Sequence, residues 1–223
     1  MQTPDLSLTH LVRRPTHESA RPPLLILLHG VGSNERDLFE LAPLLDERLL
    51  ILSARGPLER GPGGYAWFEV TFTPGGPTIN PAQAEASRQA LIRFIDEAVA
   101  AYGADPARVY LMGFSQGAIM SASVALTAPE LVAGAVLMSG RILPEIRPAL
   151  AEPARLAGLP ILLVHGTADA VLPIQHGRAS RALLESLPVD LDYREYPQGH
   201  EVSQRSLADI AAWLRQHLDG PVR

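Results

Sequence analysis

The sequence predicts an α/β fold, a mostly parallel central sheet with helices on both faces. Three observations predict it. Apolar runs of strand length recur at 24–28, 49–52, 109–112, 133–138 and 161–164, and such unbroken runs suit strands covered on both sides. Segments with helical spacing separate them, the alternation that builds a parallel three-layer sheet. His29, Ser115, Asp169 and His200 each stand just after a predicted strand, the rim where such sheets bind ligands.

Along the chain, residues 6–12 alternate weakly and suit an edge strand. Pro22-Pro23 opens the run at 24–28, which leads into the loop His29-Gly30-Val31-Gly32-Ser33-Asn34. Residues 38–45 carry helical spacing, and 49–52 is the next buried strand. The stretch 55–80 is too rich in breakers for regular structure, with Gly61-Pro62-Gly63-Gly64 near one end and Thr73-Pro74-Gly75-Gly76-Pro77 near the other. Its centre holds Trp67 and Phe68. A long loop of this kind inside a compact domain is usually functional, so the two aromatics are expected to line a substrate pocket, with plain core packing as the alternative.

Residues 82–102 form the longest amphipathic helix, with Ala90, Leu91, Phe94, Ile95 and Ala98 on one face. Gly103 and Asp105-Pro106 close it. Helices at 118–128, 174–187 and 202–218 alternate with strands at 133–138, 161–164 and 189–196, while 144–158 is broken by prolines. No internal repeat or linker interrupts the series, so one domain spanning 1–223 is expected, without room for a large lid domain.

Composition narrows the chemistry. A net charge of −5 offers no footprint for nucleic acid. No apolar run approaches the ~20 residues of a membrane span, so no stable membrane insertion is expected. Met1-Gln2-Thr3-Pro4-Asp5 lacks the basic start and apolar core of a signal peptide, which reads as cytoplasmic. The chain has no cysteine, and all 19 basic residues are arginine. Thiolate nucleophiles, cysteine metal sites, Schiff-base lysines and the lysine of a phosphate-binding loop are thereby removed. The seven histidines include no pair at i,i+4, so no metal is expected.

Serine is then the leading nucleophile. The apolar run from Val109 ends at Gly113-Phe114-Ser115-Gln116-Gly117, where small and apolar residues resume with helical spacing. A strand, a sharp turn and a helix place Ser115 at an exposed elbow, with glycines where strand and helix crowd together. A serine hydroxyl needs a base to take its proton, and the base needs a third group to fix its tautomer. In chain order the acid and base are Asp169 and His200, each on a loop after its own strand. Asp190 and Asp192 lie in or beside a strand, Asp209 and His217 on the last helix, and His176 on a helix. His165 reads as support for the Asp169 loop and His29 as a loop-shaping histidine. Asp169 as a helix cap and His200 as a surface turn residue are the structural alternatives. The backbone N–H groups of Val31 and Gln116 are the expected oxyanion donors.

These residues resemble the phospholipase/carboxylesterase family of the α/β-hydrolase superfamily, which includes acyl-protein thioesterases and small bacterial carboxylesterases. The resemblance runs through Leu27-Leu28-His29-Gly30-Val31-Gly32-Ser33-Asn34-Glu35, Ala66-Trp67-Phe68-Glu69 and Gly113-Phe114-Ser115-Gln116-Gly117. It continues in His165-Gly166-Thr167-Ala168-Asp169-Ala170-Val171-Leu172-Pro173 and Gly199-His200-Glu201-Val202-Ser203. It implies an α/β-hydrolase fold and hydrolysis of esters or thioesters through an acyl-enzyme, without a cofactor, on Ser115, Asp169 and His200. Ala118 stands where many members of the family have a second glycine, and Gly32-Ser33-Asn34-Glu35 stands where the thioesterase branch usually has Gly-Asp; the latter departure favours the bacterial carboxylesterase branch.

The expected activity is hydrolysis of small-molecule esters with short to medium acyl chains. An acyl thioesterase or lysophospholipase on the same triad is the alternative, and a non-catalytic ligand-binding protein on a hydrolase scaffold is a lesser one. Oligomeric state is not legible, a homodimer being one option.

Overall fold

The computed structural model describes residues 4–17, 19–73 and 76–220. Met1–Thr3 and Pro74-Gly75, on which the reading of the chain start and part of the second breaker cluster rested, lie outside them. The strands are β1 (His10–Arg13), β2 (Leu24–Leu28), β3 (Leu50–Ala54), β4 (Leu58–Glu59), β5 (Tyr65–Ala66), β6 (Val70–Thr73), β7 (Gly76–Ile79), β8 (Val109–Phe114), β9 (Gly134–Met138), β10 (Pro160–Gly166) and β11 (Asp190–Tyr196). Seven of them form one sheet in the order β1-β3-β2-β8-β9-β10-β11. β1 is antiparallel at the edge, and the other six run parallel.

The helices are α1 (Pro81–Tyr102), α2 (Gln116–Thr127), α3 (Pro153–Leu156), α4 (Ile174–Glu185) and α5 (Gln204–Asp219). The fully buried β2 sends alternate side chains to opposite layers. Leu24, Ile26 and Leu28 join the core formed with α1 and α2. Leu25 and Leu27 join Ile210, Trp213 and Leu214 of α5. Burial on both faces is why the run carries no polar alternation. The boundaries of α1 follow local chemistry: Asn80 accepts from the Gln83 N–H, Pro81 stands at the first turn, and Gly103 ends the helix at φ 65°.

Two expectations need correction. Residues Leu38–Leu44 form a 3-10 helix with Pro43 inside it, since proline removes a donor the α-helix would need. The 55–80 stretch is not irregular, because β4 pairs with β5 and β6 with β7 as two small antiparallel ribbons. Gly61, Pro62 and Gly63 serve the bend between β4 and β5. Among the described residues no helix is long and apolar enough to cross a membrane, and no large lid stands over the sheet.

Register aligns the site. Leu28 pairs with Gly113, Phe114 with Met138, and Gly166 with Tyr196. The carboxyl ends of these strands therefore share one rim, and the loops after β2, β8, β10 and β11 start side by side.

Candidate active site

Ser115 sits between β8 and α2 with φ 53° and ψ −114°, a conformation that costs a residue with a Cβ of order 1–3 kcal/mol. Backbone packing holds it there. A Cβ on Gly113 would lie 2.2 Å from the Gly117 carbonyl oxygen, and one on Gly117 only 1.8 Å from that of Leu28. No side chain fits at either place, so the strand-to-helix turn closes tightly and the serine is left at its tip. The Ser115 N–H donates to the Met138 carbonyl at 2.8 Å, tying the elbow to β9.

The loops after β10 and β11 bring the acid and the imidazole to this tip. His200 Nε2 is 3.0 Å from Ser115 Oγ, and Nδ1 is 2.7 Å from Asp169 Oδ2. A carboxylate accepts, so Nδ1 carries the proton and Nε2 is left to receive one from the hydroxyl. The Asp169 side chain is fully buried. Its other oxygen accepts the N–H groups of Val171 and Leu172 at 2.9 and 2.8 Å. Those bonds make it a cap of the local turn as well as the partner of His200. The Thr167 and Ala168 N–H groups donate to the Tyr196 and Gln198 carbonyls, linking the two loops. The Phe114 ring lies 4.8 Å from the imidazole of His200 and fixes its plane from the β8 side.

His165 holds the Leu172 carbonyl at 2.7 Å, while its Nε2 is 3.6 Å from Asp169, too long for a hydrogen bond. Asp192 is engaged by Arg194, Asp209 by Tyr196, and His217 by the Trp213 carbonyl. None of these meets Ser115.

The early loop supplies N–H groups. Among the described residues, neither the Val31 nor the Gln116 N–H is spent on another hydrogen bond. Gln116 is the first residue of α2, where N–H groups lack intrahelical partners and the helix dipole favours negative charge. The Val31 loop is fixed on both sides. The Gly32 N–H donates to the Tyr65 carbonyl at 2.8 Å, and the Tyr65 N–H returns to Ser33 at 2.7 Å. His29 Nε2 accepts the Gly56 N–H at 2.9 Å and Nδ1 donates to the Gly30 carbonyl at 2.7 Å. Burial pushes the His29 pKa below its ordinary value, which keeps the neutral form this pattern needs. Glu35, nearly fully buried, pairs with Arg55 through two 2.6 Å contacts. Those bonds hold its carboxyl below the usual range.

A narrow cleft of about 50 Å³ passes Ser115 between Phe68, Ile79, Ile119, Leu172 and Arg141. Trp67 does not line it, contrary to expectation. Its side chain is fully buried in the core, and the indole N–H donates to the His29 carbonyl at 3.0 Å. A large aromatic with one donor fits a core position that offers one acceptor. The Gln116 side chain bridges to the same segment, accepting the Trp67 N–H and donating to the Phe68 carbonyl at 2.7 Å each.

Sequence reasoning missed Phe114, the Gln116 side chain, the ribbon residue Ile79 and Arg141. Arg141 had a usable signal, since it stands three residues after the end of β9, on the rim that the other site residues share. Among the described residues no group of three or more metal-ligating side chains occurs.

Comparison with known proteins agrees with this architecture. The Phospholipase/Carboxylesterase family matches residues 14–218. Carboxylesterase SOBER1 from Arabidopsis thaliana is 28% identical over 210 residues, 88% of this chain and 91% of that one. Acyl-protein thioesterase 1 from Gibberella zeae is 32% identical over 119 residues, 52% of this chain and 51% of the relative. The crystal structure of the Bacillus cereus carboxylesterase superposes with a TM-score of 0.81 at 26% identity, covering 94% of each chain. With nearly the whole chain matched and the sheet order, elbow and rim loops in place, the protein belongs to the phospholipase/carboxylesterase family of serine ester hydrolases.

Proposed function

We propose that the protein is a carboxylesterase that cleaves short- to medium-chain carboxylic esters through an acyl-enzyme on Ser115. The observation that carries this is the continuous hydrogen-bonded chain Ser115–His200–Asp169 beside two uncommitted N–H groups. His200 Nε2 takes the Ser115 proton as Oγ attacks the ester carbonyl. The Val31 and Gln116 N–H groups hold the oxyanion, a contribution of ~3–4 kcal/mol per donor in comparable sites. Collapse expels the alcohol with the proton from His200, leaving an acyl-Ser115 ester. Water then attacks by the same route, its proton passing to His200 and on to Ser115 Oγ as the acid leaves. Asp169 keeps the imidazole in the required tautomer and stabilises its charged form.

The cleft of about 50 Å³ supports the short end of the range, being far below the roughly 300 Å³ at which drug-sized pockets begin. A nitrophenyl ester series from C2 to C16 tests this, and kcat/KM rising steadily to C16 would overturn the chain-length reading. The partial match to an acyl-protein thioesterase supports a second reading, thioester hydrolysis on the same residues. Parallel assays on acyl-CoA and on oxygen esters of the same acyl length separate the two.

A further inference from the structure

We infer that Arg141 is a specificity residue that selects esters whose acyl chain carries a second, free carboxylate. The inference rests on the esterase reading above and adds the substrate class to it.

Arg141 is half-buried and lines the cleft that passes Ser115. It follows Gly140, where an added Cβ would lie 2.6 Å from the Ala118 Cβ and 3.1 Å from the Ser115 carbonyl oxygen. The chain therefore delivers Arg141 directly beside the elbow. The other cleft residues carry no charge, and Arg141 makes no ion pair or hydrogen bond among the described residues. Several other arginines are differently placed: Arg48, Arg55, Arg88, Arg178 and Arg194 each grip a carboxylate. His176 lies near enough to feel this guanidinium, its pKa being lowered by burial first and then by Arg141, and an imidazole, neutral or protonated, supplies no negative counter-charge. A guanidinium has five donors in a planar fork that matches a carboxylate. In an otherwise apolar cleft such a group favours an anionic ligand and disfavours an all-hydrocarbon one.

Chemistry decides which half of the ester bears the anion. The leaving alcohol takes its proton from His200, so it departs on the His200 side. That side opens onto a depression lined by Asp37, Glu40 and Glu201 together with His200. An anionic alcohol would meet like charge there. The acyl part, lying along the cleft past Ile119, meets Arg141 instead.

The test uses 4-nitrophenyl hemiadipate and 4-nitrophenyl hexanoate, which share chain length and leaving group and differ by a terminal carboxylate. The selectivity ratio, kcat/KM for hemiadipate over hexanoate, is expected to exceed one in the wild type. It should fall by about tenfold or more in Arg141→Gln, the size of a charge-assisted hydrogen bond lost, with Arg141→Lys between the two. A wild-type ratio below one, or a ratio unchanged in Arg141→Gln, would overturn the inference. If neither ester is turned over, the esterase reading fails, and calorimetric binding of adipate against hexanoate decides the role of Arg141 separately. Adipate binding lost in Arg141→Gln supports it, and equal or absent binding of adipate overturns it.

Discussion

The carboxamide of Gln116 accepts the peptide N–H of Trp67, and its amide nitrogen donates to the next carbonyl, that of Phe68, both at 2.7 Å. One side chain thus satisfies two consecutive buried peptide groups of a segment without regular pairing of its own. Replacing Gln116 with Ala leaves a buried donor and a buried acceptor without partners. The expected loss is about 2–4 kcal/mol of stability, read from urea unfolding. Unfolding midpoints equal to wild type would mean that the segment is held by other contacts.

Ser115→Ala removes the proposed attacking atom. Turnover of a short nitrophenyl ester should fall about 10⁴- to 10⁶-fold, as in other serine hydrolases, and covalent labelling by a fluorophosphonate should vanish. Labelling that persists would assign the nucleophile elsewhere.

Asp169→Asn keeps the shape but presents an amide where His200 Nδ1 needs an acceptor. The imidazole is then free to take the tautomer that cannot accept the Ser115 proton, and kcat should drop roughly 10⁴-fold. Circular dichroism close to wild type would separate this from loss of fold, while activity within a few-fold of wild type would remove Asp169 from the proposed role.

Two glycine substitutions should differ sharply. Gly117→Ala forces a methyl to 1.8 Å from the Leu28 carbonyl oxygen, so strand and helix must separate, and soluble folded protein should be largely lost. Gly32→Ala meets nothing within 4 Å and suffers only its φ of 80°, a cost of about 1–2 kcal/mol. Thermal unfolding of the two variants, ranked in the opposite order, would contradict the backbone contact.

Acid should weaken the loop after β2, which carries the proposed oxyanion donor Val31, through His29. Its neutral Nε2 accepts the Gly56 N–H, and protonation would set two donors facing one another. Because the folded pKa is depressed by burial, the unfolded chain binds the proton more readily. The contribution is therefore complete above about pH 6.5 and is lost as pH falls through the depressed folded value. His29→Gln, which keeps an acceptor without a titrating ring, should show a flatter melting temperature between pH 7 and 5 than wild type. Parallel curves would exclude His29 as the group responsible.

Much of this molecule was legible because its signals are local. Unbroken apolar runs such as 24–28 become interior parallel strands, and Ser115, Asp169 and His200, singled out from the ends of their strands, meet in one hydrogen-bonded chain. The hairpins of 55–80 escaped because each strand is only two to four residues long, below the length at which alternation stands out. Trp67 was misassigned because an aromatic in a loop looks the same in sequence whether it faces a cleft or the His29 carbonyl. The Gln116 clamp joins residues 48 and 49 apart in the chain, a relationship no local pattern encodes.

The Gly117 approach to Leu28 is a meeting of main chain with main chain. The spacing between the Ser115 elbow and the loop after β2 is therefore set with no variable side chain in between. By contrast, the cleft also draws on residues of varied type from separate elements, Ile79, Ile119 and Arg141 among them. Reactivity and taste in substrates are thus inherited through separate parts of the structure, and mutation can redirect the second while leaving the first in register.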